Sequence, residues 1–310
     1  MSHIIKDPNL IVRNGIYLSL RLILVLIASF YITRLTLDIL GNVDYGINNI
    51  VGGITVIFSI ITMPLITTIQ RFFNVEFAKD KYNETVIFNT SKRLIFSIII
   101  LLIILYETIG LYLIKNVINI PEERQTVALY VYQITVVTNL LTFLYVPYQA
   151  LLFSKENMGV LAYTEVGLSL FRIILLLIVP FISFDYLISC SLILLFGHFF
   201  IFVYYYHYCK KKYSKIFQNK SNDKELFKQM FNFSSWSSIE SISGIAINYG
   251  TNFILNVFGG VLYNTAYGIS RQVLNGILSF TTNLLKVFDP QISGSHAIDD
   301  YSYRNKLVIL

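Results

Sequence analysis

Apolar residues run along this chain in long unbroken stretches. About eight of them reach the ~20 residues that a helix needs to cross the hydrocarbon layer of a bilayer. They cover roughly 14–38, 46–69, 94–114, 126–149, 159–182, 185–208, 235–258 and 264–288. Strands of a membrane barrel would alternate apolar and polar residues instead, and that alternation is absent. The pattern predicts an all-α polytopic membrane protein. The first stretch is too long for a cleavable signal and no short small-residue cleavage site follows it, so it is expected to stay as an anchor.

One segment breaks the pattern. Residues 209–233, CKKKYSKIFQNKSNDKELFKQMFNF, are basic and polar, and divide the chain into a six-helix lobe (1–208), a cytoplasmic linker (209–233) and two further helices (234–310). In the linker Leu226, Phe227, Met230 and Phe231 recur three and four apart, as in an amphipathic helix lying among headgroups. An ordinary solvated loop is the alternative. Across the linker, residues 33–46 align with 251–264 through Thr33/Thr251, Leu37/Leu255, Gly41/Gly259, Val43/Val261 and Tyr45/Tyr263. Both segments join the first and second helices of a unit, which suggests a parallel repeat of a kind found in transporters. After the eighth helix a new apolar run begins and stops at Leu310, so a fragment of a longer two-lobed protein is expected.

Composition agrees. The chain is 55% hydrophobic and only 14% charged, with mean hydropathy +0.62, more apolar surface than a soluble core needs. The cations fall on alternate connections. With the N-terminus inside, inner segments carry Lys6, Arg13, Arg71, Lys79, Lys81, Lys92, Arg93, Lys155 and the lysines from Lys210 to Lys228, while outer loops carry Lys115 and Arg124. That is the positive-inside bias. It accounts for the net charge of +6 without a nucleic-acid partner. Cys190 and Cys209 lie a helix length apart, which argues against a disulfide or thiolate metal site. His198 and His207 have no carboxylate at ligand spacing, and no nucleophile elbow or phosphate loop occurs. No enzyme, metal or cofactor is expected.

Candidate chemistry lies in polar faces inside the apolar runs. Asn48, Gly52, Thr55, Ser59 and Thr62 share a face of the second helix, Ser237, Ser241, Gly244, Asn248 and Thr251 one of the seventh, and Asn264, Gly268, Arg271, Asn275, Ser279 and Thr282 one of the eighth. Close packing of small residues explains the first two as well as a cavity does. The eighth, with arginine and amide, calls for water or a polar ligand, because an ion facing lipid costs at least about 2.5–3.5 kcal/mol. Arg21, Arg172 and Arg271 lie inside apolar runs. A guanidinium fork fits phosphate oxygens two at a time, so these three, with Gln272 and Asn275, are the candidate ligands for a diphosphate headgroup. For Arg172 an ion pair with Glu107, Glu165 or Glu240 is the structural alternative. Glu165 and Glu240 are the candidate coupling acids, and Arg34 with Asp38 one turn later suggests an interfacial ion pair.

The stretches NGIYLSLR (14–21), TRLTLDILGNVDYGINNIVGG (33–53), QRFFNVE (70–76), IPEER (120–124), VPYQALLFSKENM (146–158) and NTAYGISRQV (264–273) together resemble the Wzx-like polysaccharide or O-antigen flippases. These belong to the multidrug/oligosaccharidyl-lipid/polysaccharide exporter (MOP) superfamily, which also holds the MATE multidrug extruders. The resemblance covers nearly the whole chain. It implies a bundle of two six-helix lobes around a central cavity, of which this chain would hold one lobe and the first two helices of the next. It further implies alternating access in a bacterial inner membrane, with a lipid-linked oligosaccharide as cargo and other polysaccharide-assembly membrane proteins as partners. Arg21 and Arg34 stand where the family pattern has arginines. In the eighth helix Tyr267 takes the place of the usual arginine and Arg271 comes one turn later. The competing expectations are a multidrug or cation antiporter of the same fold, relying on Glu165 and Glu240, and a membrane-embedded glycan polymerase or transferase. The last would need a large outer loop, which 115–124 hardly supplies.

Overall fold

A computed structural model describes residues 8–79, 83–118, 120–217 and 223–243, with Leu274, Leu278, Thr281 and Ile292. Among the described residues every regular element is helical: α1 (Pro8–Ser59), α2 (Thr62–Lys79), α3 (Glu84–Leu105), α4 (Gln125–Ser154), α5 (Met158–Ile178) and α6 (Tyr186–Lys212). Residues 224–243 form a further helix. The chain is an all-α, multi-pass membrane protein. Its surface is that of a lipid-facing bundle, with Phe30 67%, Phe96 61% and Phe181 87% exposed, an apolar exterior that water would not tolerate.

Backbone conformation at Gly41 makes α1 a hairpin. With φ 68° and ψ −178°, Gly41 occupies a region essentially reserved for glycine. Val25 and Asn49 would be about 36 Å apart in a straight helix, yet they line one cavity, so the chain folds back. The apolar stretches predicted a connection between residues 38 and 46. Helix instead resumes directly after Gly41, and Asp44 falls in the first turn of the second arm, where a carboxylate faces the positive end of the helix dipole.

The second crossing is not continuous either. It breaks at Ile60 and Ile61, because Pro64 has no N–H for the Ile60 carbonyl and its ring crowds that carbonyl. Helix restarts with Leu65 N donating to Ile61 O at 3.1 Å. Further along, α3 widens into π-type turns at Tyr106–Gly110 and Leu113–Val117. Here Tyr132 Oη donates to Tyr106 O at 2.7 Å, and a Cβ on Gly110 would lie 1.9 Å from that hydroxyl.

Helix α4 is the central pillar, packed against α1, α2, α3 and α6, while α5 packs against α1 and α6. The end of α4 is tied to the start of α3 by Lys155 to Glu84 at 2.9 Å, and the end of α6 to the start of α5 by Lys212 to Asn157 at 2.7 Å. In the 224–243 helix, Leu226 and Met230, on the face expected to meet headgroups, are buried in protein, whereas Phe231 is exposed. Arg93 lies over the Phe227 ring and Arg71 over Phe233, 5.3 and 4.2 Å from the centroids. The rest of the seventh stretch, and the second copy of the repeat at 251–264, lie outside the described residues.

Candidate functional site

On the first arm of α1, Val25, Ser29, Ile32, Thr33 and Thr36 recur at helical spacing and so share a face. The second arm returns Tyr45, Asn48 and Asn49 to that face, α5 adds Ser169 and Arg172, and α6 adds His198. These side chains enclose a cavity of about 320 Å³. Its lining is rich in hydroxyls and amides and holds one guanidinium and no carboxylate. Among the described residues Arg172 forms no ion pair. A guanidinium at membrane depth must find water or an anion, so the cavity's electrostatic preference is for negative charge.

A second chamber of about 300 Å³ adjoins the first and shares Val25, Leu168, Ser169 and His198 with it. Here Glu165 stands with Tyr145, Gln149 and Tyr205. Arg21 Nη1 donates to Glu165 Oε1 at 3.2 Å, with side-chain exposures of 11% and 41%. Side-chain bonds brace the second chamber: Tyr145 Oη and His198 Nδ1 are 3.0 Å apart, and the hydroxyls of Thr164 and Tyr205 2.7 Å apart.

Of the residues singled out from sequence, Arg172 and Asn48 meet in the first cavity. Arg21 and Glu165 meet as an ion pair beside the second. Glu165 therefore faces Arg21 and not Arg172. Glu107 accepts from Gln133 Nε2 at 3.4 Å, and Glu240 is exposed. Farther down the second crossing the polar face packs into protein. Thr55 donates to Gly52 O at 2.9 Å and its own carbonyl accepts from Tyr106 Oη at 3.3 Å, Ser59 is half-buried, and Thr62 Oγ1 is buried without a partner among the described residues. Ser241 donates to Ser237 O at 3.1 Å. Arg34 and Asp38 face each other at 3.9 Å on an exposed turn. Arg271, Gln272, Asn275, Asn248, Asn264, Ser279 and Thr282 lie outside the described residues.

Sequence reasoning missed His198 as a wall of both chambers, and missed the Ser29–Thr33–Thr36 stripe, although its spacings of four and three were there to find. It also missed a clamp centred on Arg124. Arg124 donates through Nε to Asp44 Oδ1 at 2.8 Å and through Nη1 to Asp185 Oδ2 at 2.6 Å, and also bonds Asp44 through Nη2. Asp185 meanwhile caps α6, accepting from the amides of Leu187 and Ile188 at 3.0 and 3.3 Å. Burial opposes ionisation of Asp185, but the hydrogen bonds from Arg124 and from Ile188 and Leu187 outweigh it and hold the carboxyl below its usual range. One guanidinium thus pins the α1 turn, the start of α4 and the start of α6, one residue from the cavity-lining Tyr45.

No family model and no curated protein matches the sequence. The fold, however, is that of solved transporters. An outward-facing multidrug-resistance MATE family transporter of the MOP superfamily superposes with TM-score 0.81 at 11% identity, over 97% of this chain and 67% of that one. A Vibrio cholerae MATE transporter matches with TM-score 0.76 at 10% identity, over 97% and 68%. A MOP superfamily transporter from Pyrococcus furiosus, whose reversed pocket polarity suggests a different function, matches with TM-score 0.70 at 10% identity, over 96% and 67%. The chain spans about two thirds of these proteins and has the MATE/MOP fold.

Proposed function

We propose that this protein is a membrane transporter whose cargo is an isoprenoid diphosphate-linked oligosaccharide, flipped outward across a bacterial inner membrane by alternating access. The observation that carries the reading is Arg172, without an ion pair among the described residues, in a cavity of about 320 Å³ lined by hydroxyls and amides. A guanidinium fork suits diphosphate oxygens, and the surrounding Ser29, Thr33, Asn48 and Asn49 suit sugar hydroxyls. The headgroup would cross through the chambers and the tail would stay on the lipid-facing side of the bundle. With the N-terminus cytoplasmic, an inside-negative potential favours outward movement of the anion by about 2.3 kcal/mol per charge per 100 mV. Loss of the gene should leave lipid-linked sugar on the cytoplasmic leaflet and deplete surface glycan, and Arg172→Gln should fail to restore it. Unchanged glycan and lipid intermediates would sink the reading.

A multidrug or cation antiporter is the second reading, favoured by Glu165 in the second chamber. It requires Glu165→Gln to abolish efflux of cationic drugs while Arg172→Gln leaves efflux intact. The flippase reading requires no drug efflux from either protein.

A further inference from the structure

Between α5 and α6 lies a groove of about 230 Å³ with an almost wholly apolar lining. Two glycines shape it. A Cβ on Gly167 would meet nothing within 4 Å, so that position is an open notch, while a Cβ on Gly197 would come within 2.4 Å of Leu168 Cδ1, so the helices close together there and Leu168 forms the floor. Phe171 and Phe200 stand edge to face with centroids 5.7 Å apart, and Phe200 and Tyr204 are 56% and 46% exposed, so the groove opens outward.

We propose that this groove holds the isoprenoid tail of the cargo while the headgroup occupies the polar chambers. The inference rests on the cargo reading above. Gly167 and Gly197 lie near the middle of the candidate membrane spans Met158–Phe181 and Tyr186–Lys212, a depth where the available occupant is hydrocarbon. The choice of the cargo's own tail over a bilayer acyl chain comes from continuity. Leu168 and Ile201 line both the groove and the chamber that holds Glu165, Gln149 and His198. One layer of side chains therefore separates the polar space from the apolar one, and an amphiphile whose head is in the chamber has its shortest path to lipid through that layer. A branched chain suits a notch such as Gly167 better than a smooth channel. From Thr164 to Phe171 the groove runs about 10 Å along α5, enough to grip the first units of the tail.

The probe is undecaprenyl phosphate bearing a diazirine near the head end of its tail. The protein would be reconstituted in phosphatidylethanolamine/phosphatidylglycerol vesicles, photolysed and mapped by mass spectrometry. Labelling should fall in 164–171 and 197–204, be displaced by unlabelled undecaprenyl phosphate, and drop about tenfold in Gly167→Leu, the equivalent of about two buried methylenes lost to the probe. Leucine is a better helix former than glycine and has open space there, so the variant should fold. A second variant, Phe200→Ala, should also weaken labelling by removing one wall. Labelling elsewhere, equal displacement by added phosphatidylglycerol, or indifference to both variants would overturn the proposal. Calorimetric binding of inorganic pyrophosphate to wild type and Arg172→Gln reads the headgroup site separately. Loss of that response with tail labelling intact leaves the groove standing, and retained pyrophosphate binding without groove labelling leaves only the headgroup reading.

Discussion

Arg124→Ala removes the cation that holds Asp44 and Asp185 together, and its cost can be bracketed from exposure. The three side chains are 26%, 19% and 24% exposed. A fully exposed pair contributes about 0.2–1 kcal/mol, while removing one member of a fully buried pair costs about 3–5 kcal/mol. At about one-quarter exposure solvent still screens part of the interaction, so a loss of about 2–3 kcal/mol is expected. Much of it would come from two carboxylates left facing each other, so adding Asp44→Asn to Arg124→Ala should recover about 1 kcal/mol. The structure supplies the assay. Cys190 and Cys209 are both free and buried, so a thiol-reactive fluorophore reports unfolding of detergent-purified protein as they become accessible. At about 2–4 °C per kcal/mol, the midpoint should fall by about 4–12 °C in Arg124→Ala and rise again in the double variant. An unchanged midpoint, or a double variant less stable than Arg124→Ala, would refute the clamp.

Acid should weaken the same clamp. Because the Asp185 carboxyl is held below its usual range, its contribution is complete above its unfolded-state pKa and is lost as pH falls through the lower folded-state value. The midpoint of Asp185→Asn should therefore vary less with pH below about 4 than that of wild type. Gly110→Ala drives a methyl into the Tyr132 hydroxyl and should cost about 1–3 kcal/mol, with Tyr132→Phe restoring part of it in the thiol-dye melt. Gly41→Val forces a branched side chain into a glycine-only backbone region and should cost about 1–3 kcal/mol, seen as a lower melting midpoint; an equal midpoint would mean the hairpin turn is built differently. For orientation, Lys211→Cys should be shielded from an impermeant thiol reagent in intact cells while Lys115→Cys reacts, and the opposite pattern would reverse the topology.

The bilayer imposes element length, so the first six crossings were legible from apolar runs alone, and the turn at Gly41 from its glycine. The break before α2 was also visible in principle, since Pro64 sits inside the second run, but hydropathy does not register a missing donor. Arg172 was legible because a cation in an apolar run is costly. Its neighbours were harder to see, because hydroxyls such as Thr33 and Thr36 serve packing and cavities alike. The Arg124 clamp could not be read at all. Arg124 reaches across separations of 80 and 61 residues, and only the hairpin of α1 and the packing of α4 against α6 bring its partners together.

The cavity around Arg172 is best tested by flipping itself. Purified protein in vesicles, supplied with a fluorescent undecaprenyl diphosphate sugar on one leaflet, should move it to the other at a rate measured by dithionite quenching. Loss of charge-assisted hydrogen bonds worth about 1.5–3 kcal/mol should slow Arg172→Gln by about 10- to 150-fold at unchanged melting midpoint, with Arg172→Lys between it and wild type because it keeps the charge and loses the fork. A wild-type rate in Arg172→Gln would contradict the account.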